Sequence, residues 1–214
     1  MEISTIQHHL LGLNFDPHNE GFYKFIQYSR EIQKEVCEQR VELLRKYGVP
    51  ISFDKVKNNF SLSSLGKYSI LMTMMSDKDC RDYIEKNHGQ PTLKDLFKIY
   101  LSDGGIAGQV EKRRFIDWNE AIDEIHKANG LAVFAHPSSK TDNPSEVLDL
   151  LAGVDGIEIQ PRYKEKNILF KEYAAEKGLF VVYGSDYHGS AFEPVMLGRD
   201  ENTLDDAILG KIKR

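Results

Sequence analysis

The sequence predicts an α/β protein built from parallel βα units, with an all-helical insertion set into them. Three observations carry this expectation. Helix and buried strand alternate from residue 117 onward, the signature of a parallel sheet covered by helices. The runs LAVFA (131–135) and LFVVY (179–183) are apolar on both faces, as parallel barrel strands are. Residues 51 to about 104 hold short helical pieces with no strand between them.

Glu2–Thr5 and His9–Phe15 read as strands, from short apolar runs and the β-branched Ile3, Thr5 and Ile6. From Gly21 to Tyr47 the apolar residues fall at helical intervals, and Gly48 supplies the stop. Helical pieces follow near Leu65–Met75, Lys78–Asn87 and Thr92–Leu101, and Asp103-Gly104-Gly105 turns the chain out of them. Asp117 and Glu120 stand as a capping box for a helix at Trp118–Asn129. Pro144 suits the first position of another helix, carrying Leu148, Leu150 and Leu151. Strand GIEI (156–159), helix Lys164–Lys177, strand LFVVY and a last helix at Leu204–Ile212 complete the order.

The chain has 214 residues, 41% of them hydrophobic and 29% charged, an ordinary globular composition. No run approaches a membrane span, and no secretory signal is evident, so no membrane partner is expected. The net charge of −5 argues against a nucleic-acid groove that works by bulk charge. Two cysteines, Cys37 and Cys80, lie in polar helical surroundings without motif spacing and read as reduced thiols of a cytoplasmic protein. His18, His88 and His126 fall on loops or helix faces and read as solvated.

Functional groups of parallel sheets sit at the C-terminal ends of strands. Two such ends carry metal-type ligands. LAVFA runs into His136-Pro137, and LFVVY runs into Gly184-Ser185-Asp186-Tyr187-His188-Gly189. A carboxylate and an imidazole two residues apart on extended backbone point the same way. Each has a plainer reading, since His-Pro is also a common turn and Asp and Ser also cap helices. Glu2 and His9 add a carboxylate and an imidazole on the first strands. A mixed Asp/His set suits Zn, Mn or Fe.

These stretches carry a resemblance. From EIS and HHLLGL, through LFKIYLSDGG and the AI-EIHKANGLAVFAHP block, to GIEI, YAAEKGL and GSDYHG, the chain resembles the polymerase-and-histidinol-phosphatase (PHP) phosphoesterases. The branch it most resembles contains nucleoside 3′,5′-bisphosphate phosphatases and 5′→3′ exoribonucleases. The resemblance implies a distorted (β/α)7 barrel, with a barrel portion at residues 1–19 and 105–214 and a helical insertion at 20–104. It implies divalent metal ions (Mn, Zn or Fe) held by Glu2, His9, His136, Asp186 and His188, with His136, Asp186 and His188 also serving catalysis. His8 is the less favoured register for the second of these ligands. The implied reaction is hydrolysis of a phosphate ester of a small nucleotide or RNA end by a metal-bound water.

The family's H-x-H and T-D-H motifs have no counterpart here, so the resemblance also implies an incomplete barrel lacking its first strands. A misassigned start, a companion chain that supplies those strands, or a true short form repurposed for binding each fit that departure. One metal set, Glu2 with His9 and His136, stays intact, so at least one site is expected to survive. An exposed sheet edge also invites a homo-oligomer. The alternative function is a non-catalytic metal-binding or regulatory module. Where the branch often has arginines for the substrate, this chain has Lys67 and Lys140, point charges without the bidentate fork. Arg162 is a further candidate for the substrate's phosphate, as are Arg113, Arg114 and Arg199. Tyr163 and Tyr187 are candidates for stacking on a base.

Overall fold

A computed structural model describes residues 2–4, 8–61, 64–110 and 115–185. Asp186, His188, Tyr187, Arg113, Arg114, Arg199 and the helix expected at Leu204–Ile212 lie outside them. The described residues divide into two compact units, one made of the chain up to Ile26 together with the chain from Phe115, the other beginning at Gln27.

The first unit is built on one mixed sheet of strand order β1-β2-β3-β4-β5. β1 (Glu2–Ser4) pairs antiparallel with β2 (His9–Leu13), with Glu2 opposite Leu11 and Ser4 opposite His9. β2 pairs antiparallel with β3 (Leu131–Phe134). β3, β4 (Gly156–Ile159) and β5 (Phe180–Tyr183) then run parallel. The expected parallel units therefore hold from β3 to β5, whereas β1 and β2 enter antiparallel. Too few residues separate Ser4 from His9 for a parallel crossover, which takes about a dozen. β2 stops at Leu13 rather than Phe15 because Asn14 turns to a φ of +51°. Among the described residues the row runs from β1 to β5 without closing on itself.

Side-chain alternation sorts this sheet into two faces. On one, Leu11, Leu13, Leu131, Val133, Phe180 and Val182 pack together. The other carries the fully buried Leu10, Ala132, Phe134, Ile157 and Ile159. Burying each large side chain there contributes roughly 1.5–3 kcal/mol. Helix α6 (Trp118–Lys127) packs on β2 and β3, and α7 (Lys164–Lys177) on β4 and β5. Gly12 faces α6, and a β-carbon there would make an ordinary van der Waals contact with Ile125 at 3.5 Å. The Asp117 half of the expected capping box forms, with Oδ1 accepting from the N–H groups of Asn119 and Glu120 at 2.9 and 3.1 Å. Pro144–Leu151 differs from the expected α-helix. It is 3₁₀, broken at Val147 (φ −118°, ψ 17°), because i→i+3 turns rarely extend beyond a few residues.

Helix α1 (Glu20–Lys46) carries the chain into the second unit, its first turn capped by Asn19, whose Oδ1 accepts from Phe22 N–H at 2.9 Å. The second unit continues with α2 (Phe53–Asn59), α3 (Lys67–Ser76), α4 (Lys78–His88) and α5 (Leu93–Tyr100). Helix α3 packs on α2, α4 and α5, burying Ile70, Leu71 and Met74 among Val56, Ile84 and Leu96. Ser52, Asp77 and Thr92 cap α2, α4 and α5. The sequence reading missed α2, although its Ser52 cap was visible. Cys37 and Cys80 are free thiols fully buried in this core, which corrects their polar placement. His18 is exposed as expected. His126 is also exposed as expected, where it meets Asp155 at 2.8 Å, whereas His88 is half-buried and meets the Tyr100 hydroxyl at 2.7 Å. Among the described residues no helix is long and apolar enough to cross a membrane.

Candidate metal centre

Just past β3 the backbone reaches His136 in the left-handed region, at φ +40° and ψ +49°. A residue with a β-carbon pays roughly 1–2 kcal/mol there, and such strain persists only where the surroundings impose it. Here the neighbouring bonds do so. Ala135 N–H donates to the His9 carbonyl at 2.9 Å, and Ser139 N–H donates to the His136 carbonyl at 3.0 Å.

The same turn sets the tautomer of the His136 ring. The Ser139 hydroxyl donates its one proton to the His136 carbonyl at 2.8 Å. Its Oγ also stands 3.1 Å from His136 Nδ1, so in that contact it must accept. The neutral ring therefore carries its proton on Nδ1 and its lone pair on Nε2. Metal-binding histidines are oriented in this way, through the nitrogen that does not bind the ion.

His9 opens β2, and its ring meets that of His136 with centroids 5.2 Å apart and planes at 77°. Two imidazoles bound to one tetrahedral ion through nitrogens at ~2.0–2.1 Å set their centroids roughly 5 Å apart. The pair fits a shared ion on that measure. It supplies two of the ligands such an ion needs, and among the described residues no group of three His, Cys, Asp or Glu side chains is gathered to hold one.

Strand alternation distinguishes His8 from His9. His8 lies edge-on to Phe134 at 5.3 Å and to Trp118 at 6.1 Å, on the face covered by α6. Burial holds its pKa down at about 4, with the charges of Lys140, His9 and His136 adding to the effect. This favours His9 over His8 as the candidate ligand.

The remaining candidates fall in several places. Glu2 lies in β1 opposite Leu11. Lys140 is exposed at the end of the Pro137–Ser139 turn, close enough for its charge to act on His8. Arg162 follows β4; its Nε donates to Gln160 Oε1 at 2.9 Å and its guanidinium lies 5.2 Å from the Tyr163 ring. Lys67 belongs to the helical unit, where its ammonium is held by Asp103 at 3.0 Å.

Sequence reasoning missed Ser138, Ser139, Glu158, Gln160 and Asn167. The fully buried Ser138 donates to Asn167 Oδ1 at 3.0 Å, and Asn167 Nδ2 donates to the Gln160 carbonyl at 2.7 Å. These bonds tie the His136 turn to the end of β4. Glu158 lies over Gly184, where a β-carbon would stand 1.8 Å from its Oε1. The signal for Ser139 was its place three residues after His136. For Glu158 it was the glycine that ends the neighbouring strand.

No family model matches the chain. It is similar to a 5'-3' exoribonuclease of Haemophilus influenzae, with 26% identity over 211 residues, spanning 94% of this chain and 70% of that protein. A crystal structure from Bifidobacterium adolescentis, described provisionally as a metal-dependent phosphoesterase, superposes with a TM-score of 0.68 at 23% identity, over 99% of this chain and 73% of the other. An amidohydrolase from Chromobacterium violaceum, solved with sulfate and no metal, gives 0.65 at 22% identity, over 87% and 65%. The chain thus shares the fold of these two structures.

Proposed function

We propose that the chain is a metal-dependent phosphoesterase of the PHP kind, acting on a phosphate ester of a small nucleotide or RNA end. The observation that carries this is the His9–His136 pair, with the His136 ring locked by Ser139 so that Nε2 holds its lone pair. In this reading Glu2, Asp186 and His188 complete the ligand set, and β1 to β5 form part of a distorted barrel. When bound, a divalent ion of the Mn, Zn or Fe type acidifies coordinated water and neutralises phosphate charge. The chain's own residues do the rest. Ser139 and the strained turn keep the His136 ring in place. The ammonium of Lys140 offers a positive charge to a phosphate oxygen. The name of the Haemophilus influenzae protein supports RNA ends as substrate.

The second reading is a metal-binding or regulatory module, or a portion that works only with a companion chain. A phosphate-release assay on the purified 214-residue chain separates the two. Turnover of a nucleoside 3′,5′-bisphosphate or a 5′-phosphorylated oligoribonucleotide with Mn²⁺, abolished in Asp186→Ala and His136→Ala, supports the enzyme. Metal bound at about one ion per chain without turnover supports the module.

A further inference from the structure

Arg40, on α1, is a buried cation to which the fold gives no partner. It is 9% exposed. Its Nε is buried and meets no acceptor, and the guanidinium makes no hydrogen bond or ion pair with a described residue. A buried charge left unpaired is among the costliest groups a core can hold, and it calls for an explanation. A methionine would fill much the same space without that cost. Both groups whose charge reaches Arg40 touch the start of α3. Cys37, one turn earlier on α1, meets the Ser69 hydroxyl and the Gly66 backbone. Asp103 holds the Lys67 ammonium at 3.0 Å. Arg40 therefore lies at the first turn of α3.

We infer that Arg40 and the first turn of α3 form an anion site in the helical unit, and that its ligand is a phosphate group, either free orthophosphate or the phosphate of an oligoribonucleotide end. The turn has no capping side chain and no acidic residue of its own, so the positive end of the helix dipole has no carboxylate within the turn to answer it. Gly66 stands at its N-cap, and a β-carbon there would meet nothing within 4 Å, which leaves open space at the helix end. Asp103 does not neutralise Arg40, since its carboxylate is 91% exposed and taken by Lys67. A phosphate suits both halves of the site. Its oxygens meet the N–H edge of a guanidinium two at a time, and a helix start offers it N–H groups and a favourable dipole. Arg40, Gly66, Lys67 and Ser69 all belong to the second unit. The site uses none of the metal-centre residues and does not rest on the phosphoesterase reading.

The test uses the full chain in excess chelator, so that no metal-bound phosphate contributes and no turnover is needed. Orthophosphate followed by ³¹P line broadening should bind the parent and raise its melting temperature. Arg40→Met should weaken that binding at least ~10-fold, as loss of a charged hydrogen bond does. It should melt no lower than the parent in phosphate-free buffer, because the uncompensated charge is gone. Gly66→Asp should supply the anion from within the chain. Its carboxylate caps α3 and pairs with Arg40, so the variant should melt higher and no longer bind orthophosphate. A 5′-phosphorylated oligoribonucleotide that displaces orthophosphate supports the site with a nucleic-acid end as its ligand. One that leaves orthophosphate bound supports it with free phosphate as the ligand. Absent orthophosphate binding, or binding indifferent to both variants, overturns the inference. So does an Arg40→Met chain several degrees less stable than the parent in phosphate-free buffer, since Arg40 would then have its partner within the chain.

Discussion

Replacing His136 by glycine and by alanine should reverse the usual order of those two residues. In a helix or strand interior glycine is the worse choice by roughly 0.5–1 kcal/mol, because the unfolded chain is freer. At φ +40° and ψ +49° the order inverts. Alanine keeps the left-handed penalty of roughly 1–2 kcal/mol, whereas glycine sheds it and gives back part as unfolded-chain entropy. Both variants lose the same imidazole, which is 7% exposed, and the same bond to Ser139, worth about 1 kcal/mol. Those common losses cancel in the comparison. His136→Gly should therefore be more stable than His136→Ala by about 1 kcal/mol, or about 2–4 °C in melting temperature for a chain of this size. Urea unfolding in excess chelator measures it without any contribution from bound metal. Alanine equal to or more stable than glycine would refute the claim that this turn stores strain for the histidine it presents.

Gly156→Ala should cost about 3 kcal/mol, at the upper end for overpacking, because the new β-carbon would lie 2.5 Å from the Phe180 ring and 2.7 Å from its carbonyl; chemical denaturation reads the loss. Asp77→Ala should cost about 1 kcal/mol at neutral pH, since Asp77 caps α4 through Cys80 N–H. The Lys55 ammonium at 2.7 Å, with the Cys80 bonds adding, holds its carboxyl below the usual range. A depressed acid stabilises above its unfolded pKa and loses that contribution as pH falls through the folded one, so the Asp77→Ala deficit measured by thermal melts should shrink below about pH 4. Burial pushes the Cys37 thiol up to about 11 and the Cys80 thiol up to about 12, so neither should react with iodoacetamide at pH 8 until urea exposes them.

The elements that local chemistry determines were legible in the sequence. Lys164–Lys177 ends at Gly178, whose φ of +68° no other residue takes as easily, and the buried β3 and β5 announced themselves as apolar runs. The antiparallel entry of β1 and β2 was available from the short connection between them. What stayed hidden depends on contacts distant in sequence. Nothing in the order of residues says that the His136 turn is bonded through Asn167 to Gln160, 24 positions after that histidine by residue number. The resemblance already favoured His9 over His8, but the physical difference between them lies in the fold, which sets one against Trp118 and the other against His136.

Titration of the metal-free 214-residue chain with Zn²⁺ or Mn²⁺ by calorimetry tests the central claim most directly. The account predicts binding of at least one ion per chain, weakened at least ~10-fold by His9→Ala and by His136→Ala and left intact by His8→Phe. Absence of binding, or binding that survives loss of both His9 and His136, would contradict it.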